Sequence, residues 1–171
     1  MIAKKNAHRT LVVLVGPSYS GKSTLARQMA DWAGFHVISA REVIRPHIGR
    51  GPQTRAEFIS VGAFLERVTR GHWLASAVEA VSRKRNSIVV DSARSADQLG
   101  RLRAIAKNRM RFLVVYVTAS ERVRKSRFEN RLMAGSIDRL SWSRLSRGSL
   151  EIQTKALRSK ADVVVVTGAS D

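Results

Sequence analysis

The chain has no cysteine, which excludes disulfides and thiolate zinc sites and agrees with a cytoplasmic location. Its four histidines, His8, His36, His47 and His72, lack metal-ligand spacing, so surface or core roles are expected of them. No apolar run approaches the length needed to span a bilayer, and no membrane association is expected. The basic N-terminal MIAKKNAHRT carries no cleavage-type pattern, and the apolar run behind it reads as a strand, not a signal core. With three prolines and no Pro/Gly-rich linker, repeat or low-complexity tract, the 171 residues read as a single domain. A hydrophobic share of 44% is enough for an ordinary core. Acids are scarce too: 13 Asp+Glu face 31 Lys+Arg, giving a net charge of +18. That balance favours polyanionic partners such as nucleotides, polyphosphates or nucleic acid. The basic residues are dispersed from Lys4 to Lys160, as on a solvated surface. Nucleic acid is therefore admitted as a partner but not favoured.

Short runs rich in Val and Ile alternate with helix-like stretches. Strands are expected at Leu11–Val15, His36–Ser39, Ser87–Asp91, Phe112–Thr118 and Asp162–Val166, each apolar enough to be covered on both faces. Helices are expected at Lys22–Ala33, Arg55–Val68, Trp73–Arg85, Ala96–Lys107, Ser120–Met133 and Trp142–Arg158. Gly34 and Gly71 follow the first two, and Thr54 and Ser120 are suited to cap helix N-termini. Phe58, Val61, Leu65 and Val68 share one helical face and are expected to pack into the core. The rhythm implies an α/β fold, a parallel doubly wound sheet with ligands at the carboxyl ends of its strands. One more helix commonly follows the last strand of such sheets, and none is expected in Thr167-Gly168-Ala169-Ser170-Asp171.

Between the first strand and the first helix stands GPSYSGKST, Gly16 to Thr24. It matches G-x-x-x-x-G-K-[ST] in the strand–loop–helix setting that gives this pattern its meaning. Gly16 and Gly21 permit backbone conformations in which successive N–H groups turn toward phosphate oxygens. The following helix adds unpaired N–H donors and its partial positive charge. Lys22 is placed to reach the β- and γ-phosphates of a nucleotide, and the Ser23 hydroxyl to ligate Mg²⁺.

Other residues invite chemistry. Asn86-Ser87-Ile88-Val89-Val90-Asp91 is an apolar strand ending in a carboxylate, the form in which an Asp holds Mg²⁺ directly or through water. Glu42 and Arg45 stand three apart on one helical turn; they suit an acceptor hydroxyl and an acceptor phosphate, or simply a surface ion pair. Arg55 lies in the first turn of a helix, against the dipole's preference, which makes it a candidate anion ligand. Arg94 falls just past the carboxyl end of the strand that closes with Asp91. Arg124, Arg127 and Arg131 line one helical face before the bend Ala134-Gly135-Ser136-Ile137-Asp138-Arg139. Such a helix, bend and second helix would make a lid over the triphosphate, or an amphipathic helix with a solvated basic face.

Taken in order, these motifs resemble the nucleoside-monophosphate-kinase branch of P-loop proteins, above all the deoxynucleoside-monophosphate-kinase and dephospho-CoA-kinase-like group. The resemblance covers nearly the whole chain, including Gly62, Arg67, Gly71 and the closing Ala161-Asp162-Val163-Val164-Val165-Val166-Thr167-Gly168. It implies a three-layer α/β/α fold with an acceptor-binding insertion at residues 40–72 and a lid at 120–147. It implies that Gly16, Ser18, Tyr19, Ser20, Gly21, Lys22, Ser23 and Thr24 bind ATP, with Ser23 and Asp91 serving Mg²⁺. Glu42, Arg45, Arg55 and Arg94 would hold the acceptor, and Lys22, Arg127, Arg131 and Glu42 would be catalytic. The chain departs from these relatives in carrying Glu42 for Asp, Asp91-Ser92-Ala93-Arg94 for Asp-Gly-x-Arg, and arginines (Arg144, Arg147) around a helix that commonly begins acidic.

The expected function is transfer of the γ-phosphoryl group of ATP to a nucleoside monophosphate or related nucleotide-like small molecule. Transfer to a hydroxyl, on a nucleoside, dephospho-CoA or a nucleic-acid 5′ end, is the alternative, with Glu42 as base. A nucleotide-binding switch without kinase activity is a third reading; no Asn-Lys-x-Asp follows a late strand to support guanine recognition.

Overall fold

The computed structural model describes residues 9–49, 53–134 and 141–168. Five strands form one parallel sheet: β1 (Thr10–Val15), β2 (His36–Ser39), β3 (Ser87–Asp91), β4 (Arg111–Thr118) and β5 (Val163–Val166), in the order β2-β3-β1-β4-β5. Helix α1 (Lys22–Ala33) links β1 to β2. Helices α2 (Ala40–Ile44), α3 (Arg55–Thr69) and α4 (His72–Ser82) fill the long connection to β3. Helix α5 (Ala96–Ala106) precedes β4, and α6 (Glu121–Met133), α7 (Trp142–Ser146) and α8 (Ser149–Ala156) lead to β5.

Alternation along β1 builds two cores. Leu11, Val13 and Val15 join Leu74 and Val78 of α4 and Leu99 and Leu102 of α5 on one face. Val12 and Leu14 meet Ala26, Leu25 and Met29 of α1 on the other. The result is a three-layer α/β/α domain whose central strand is fully walled in. Parallel pairing sets Leu14 opposite Asp91 and Val15 opposite Tyr116, so every chain reversal that follows a strand gathers at one edge of the sheet.

Local signals place most helix ends. Thr54 and Glu57 close a reciprocal capping box on α3. The Ser120 hydroxyl accepts from the Val123 N–H to start α6, and Gly34 ends α1 in the left-handed conformation. Gly71 does something different from ending a helix: Arg70 terminates α3, and Gly71 begins α4 with φ 82°. A Cβ on Gly71 would lie 2.9 Å from the Gln98 backbone nitrogen, so α4 can approach α5 only at a glycine.

Three expectations are corrected. The single helix Trp142–Arg158 is instead α7, α8 and a 3₁₀ turn at Leu157–Lys160, because the chain turns extended at Gly148. Val68 is 63% exposed and packs no core, leaving Phe58 as the buried anchor of α3. Strand β5 is not covered on both faces: Val163, Val164 and Val166 are all exposed. Residues 135–139 of the expected bend, with Leu140 after it, and Ala169, Ser170 and Asp171, lie outside the described residues.

Candidate active site

The loop after β1 is shaped by its carbonyls being held from outside. Gly16 and Pro17 carbonyls accept from Lys22 Nζ at 2.8 and 2.6 Å. Ser18 O accepts from Arg124 (3.4 Å), Tyr19 O from Arg127 (3.1 Å), and Ser20 O from the Thr167 hydroxyl (2.7 Å). With each carbonyl from Gly16 to Ser20 engaged, the N–H groups are left to line the concavity. Those of Tyr19, Gly21, Lys22 and Ser23 have no protein acceptor among the described residues. Gly16 has φ 132° and Gly21 φ 97°, and a Cβ on Gly16 would fall 2.1 Å from the Val117 carbonyl oxygen. No acid stands in the first turn of α1, so the helix's positive end faces the same concavity uncompensated. Ser23 and Thr24 are exposed on that first turn. The loop is an anion cradle with the donors a polyphosphate requires.

Cations converge on it. Burial of its ammonium pushes Lys22 down to about 7, with Arg94 and Arg55 adding to the depression and Asp91 and Glu151 opposing it. Burial, then Arg55 and Arg41, push Arg94 down to about 10, again against Glu151 and Asp91. Lys22, Arg55 and Arg94 therefore share one field with two carboxylates, and positive charge is in surplus. Arg55 donates to Ser18 Oγ at 2.6 Å and lies over the Tyr19 ring, and its Nε is buried with no partner among the described residues. That orphaned donor is costly unless an incoming anion meets it.

The backbone at Arg94 is held by a relay. Its backbone N–H donates to Gln98 Oε1 (2.7 Å), Gln98 Nε2 donates to Glu66 Oε2 (2.7 Å), and Trp73 Nε1 donates to the same oxygen (3.0 Å). The Ser95 hydroxyl donates to Glu66 Oε1. Glu66 thus ties α3, which carries Arg55, to the turn that carries Arg94.

The expected site residues fall into groups. Gly16 to Ser23, Arg55, Arg94 and Asp91 come together around the cradle, as described. Arg127 joins it from α6 and also donates to Thr167 Oγ1 (2.9 Å), while Arg131, on the same helix, is exposed. Glu42 and Arg45 bond to each other at 2.8 Å with side chains more than half exposed.

Two participants were not singled out in the sequence. Glu151 of α8 is 4% exposed and accepts from the Ser18 N–H at 2.8 Å. Its other oxygen faces Arg124 Nη1 at 3.4 Å, with both side chains 6% exposed. Thr167, just past β5, bridges Arg127 and the Ser20 carbonyl. One signal was available: Glu151 is the lone acid between Arg139 and Ala161. Around them Tyr19, Phe128 and Trp142 meet edge-on or tilted with centroids 5.5 to 6.5 Å apart, and Arg124 lies over the Trp142 ring.

The family model described as AAA domain matches residues 11–147, from β1 through the cradle to the end of α7. The chain belongs to this AAA domain family. No curated protein matches it. Its fold is similar to that of a gluconokinase from Sinorhizobium meliloti 1021, with TM-score 0.64 and 22% identity, covering 95% of this chain and 85% of that one. It is similar as well to shikimate kinase from Acinetobacter baumannii in complex with shikimate (TM-score 0.54, 16% identity, 94% and 85% covered). A third is the Mycobacterium tuberculosis APS kinase CysC in complex with AMPPNP and APS (TM-score 0.53, 15% identity, 95% and 91% covered). At these identities the likeness is one of fold. Glu151 and Thr167 lie beyond the residues the family model matches. Among the described residues, no helix of this AAA domain is long and apolar enough to cross a membrane.

Proposed function

We propose that this AAA domain is an ATP-dependent phosphotransferase whose acceptor is a small molecule bearing an anionic group, of nucleoside-monophosphate type. The observation that carries the reading is the surplus of positive charge, Lys22, Arg55 and Arg94 against Asp91 and Glu151, beside a cradle of free N–H donors. The cradle alone serves any bound triphosphate. Arg55 and Arg94 come from outside it, on α3 and beyond β3, where a second anionic molecule is met.

The cradle N–H groups and Lys22 would hold the β- and γ-phosphates. An acceptor oxygen attacks the γ-phosphorus, the bond from that phosphorus to the β–γ bridging oxygen breaks, and ADP carries away the electron pair. When the attacking oxygen belongs to a phosphate it is already anionic, so no strong base is needed. Catalysis is then positioning and charge neutralisation by Lys22, Arg55, Arg94, Arg127 and Arg131. Asp91 and the Ser23 hydroxyl fit a Mg²⁺ ion brought in with the nucleotide, since such an ion takes one or two protein oxygens and completes its shell with phosphates and water. When bound it would neutralise charge on the phosphate oxygens. Residues 40–72 would supply the acceptor side and residues 120–147 the lid.

An acceptor screen of nucleosides, nucleoside monophosphates, dephospho-CoA and small phosphorylated or carboxylated compounds, read as ADP release, tests this. Acceptor-dependent ADP release that disappears in Lys22→Ala is expected. Release no higher than in Lys22→Ala for every acceptor would sink the reading. Glu42→Gln separates the acceptor chemistries: a mild effect is expected, because Glu42 is spent on Arg45, and a loss of orders of magnitude would favour a hydroxyl acceptor.

A further inference from the structure

The proposed chemistry employs only a few of the 31 basic residues, and the amino end of the sheet gathers several others. Arg9 leads into β1 and Arg111 opens β4, paired with Thr10. A cavity of about 560 Å³ lies there, lined by Arg9, Arg109 and Arg111. A second, of about 500 Å³, shares Asn108 and Arg109 with it and extends to Lys107 and Arg101. The two form one trough.

None of Arg9, Arg101, Lys107, Arg109 and Arg111 makes an ion pair among the described residues. The one carboxylate in the lining, Glu79, faces Arg83 at 3.7 Å. Arg9 Nε is buried without a partner among the described residues, although another of its nitrogens donates to the Ser82 carbonyl. The lining contains none of the exposed large apolar side chains of the molecule, so the trough lacks what a lipid surface would take up. The trough and the cradle sit at opposite ends of β1, a six-residue strand, about 20 Å apart at 3.3 Å per residue. Arg101 stands on α5 and Lys107 just past its end; both line the second cavity with Arg109, which also lines the first beside Arg9 and Arg111.

We infer that this trough is a binding face for the phosphate backbone of a nucleic-acid strand, separate from the phosphotransfer site. Four guanidinium forks and a lysine ammonium, none ion-paired among the described residues, suit the phosphates of a strand, and they offer more cations than one small anion can satisfy. The recognition is of backbone charge, with no sequence preference implied.

Titration of a fluorescein-labelled single-stranded oligonucleotide at increasing salt tests it. Five phosphate contacts give a log–log salt slope of about −3.5, a loss of about a hundredfold in affinity from roughly 50 to 200 mM salt. Arg109→Gln with Arg111→Gln is expected to flatten the slope by about 1.4 and weaken binding about tenfold at the lower salt. The control pair Arg122→Gln with Lys125→Gln, exposed on α6, removes the same charge and is expected to change affinity less than about twofold. Equal weakening by both pairs would show that binding follows net charge, and overturns the site. So would polyglutamate or anionic vesicles competing as well as unlabelled oligonucleotide. Affinity for a non-hydrolysable ATP analogue is expected to be unchanged in the Arg109/Arg111 pair; its loss would mean that the trough and cradle are one site.

Discussion

Glu151→Leu is the perturbation with the largest expected effect outside the cradle itself. It leaves the Ser18 N–H without its acceptor and strands Arg124, whose side chain is only 6% exposed and whose Nε already lacks a partner among the described residues. Removing one member of a buried ion pair costs about 3–5 kcal/mol, because the remaining charge is still desolvated. The Arg124–Glu151 contact is long at 3.4 Å, which favours the lower end of that range. For a domain of this size, 3–5 kcal/mol corresponds to roughly 6–20 °C in melting temperature. Denaturant unfolding of the variant, with the slope checked for constancy, gives the number directly. Glu151→Gln keeps an acceptor for Ser18 N–H but loses the charge, and is expected to cost about 1.5–3 kcal/mol. The double change Glu151→Leu with Arg124→Leu should recover the part of the loss due to the stranded charge, while the Ser18 N–H stays unpaired. Binding of a non-hydrolysable ATP analogue should weaken in Glu151→Leu at temperatures where it is folded, because the third residue of the cradle is no longer held. A cost below about 1 kcal/mol for Glu151→Leu, or a double variant no better than the sum of the singles, would refute the reasoning.

Other outcomes follow from the same geometry. Burial holds Lys22 down at about 7, so between there and the ordinary 10.5 the unfolded chain carries a proton that the folded protein lacks. This group therefore adds stability as pH rises through that window. Polyphosphate restores the ammonium, so nucleotide binding at about pH 8 should take up close to one proton and at about pH 6 almost none, as read by calorimetry in buffers of different ionisation enthalpy. Gly16→Ala forces a Cβ to within 2.1 Å of the Val117 carbonyl oxygen and should cost at least about 3 kcal/mol with loss of nucleotide binding. Gly34→Ala, with open space around it, should cost only about 1–2 kcal/mol; equal melting shifts for the two would contradict this. Gln98→Met removes the acceptor of the Arg94 N–H, and should raise the acceptor KM about tenfold while leaving ATP affinity intact, a split that steady-state kinetics resolves.

Much of this protein was legible in its residues because the signals were local. Val/Ile runs marked the strands, and Thr54 with Glu57 marked the start of α3. The spacing from Gly16 to Ser23 marked the cradle, since a strand–loop–helix turn that binds phosphate with backbone N–H groups is contained within a dozen consecutive residues. Arg55 and Arg94 could be nominated as well, one by its place against a helix dipole and one by its place after a strand. Only the tertiary structure decided the rest. Which carbonyls the cradle turns outward depends on Arg124, Arg127, Glu151 and Thr167, more than a hundred residues away in sequence. The relay through Glu66 and Gln98 joins α3 to α5 by hydrogen bonds that no spacing rule anticipates. Glu42 and Arg45 had the right separation for chemistry and equally for satisfying each other, and packing left them exposed to do the latter. Periodicity and short motifs record what a residue does with its near neighbours, whereas the charge balance of a site is set by side chains that meet only after the sheet has closed.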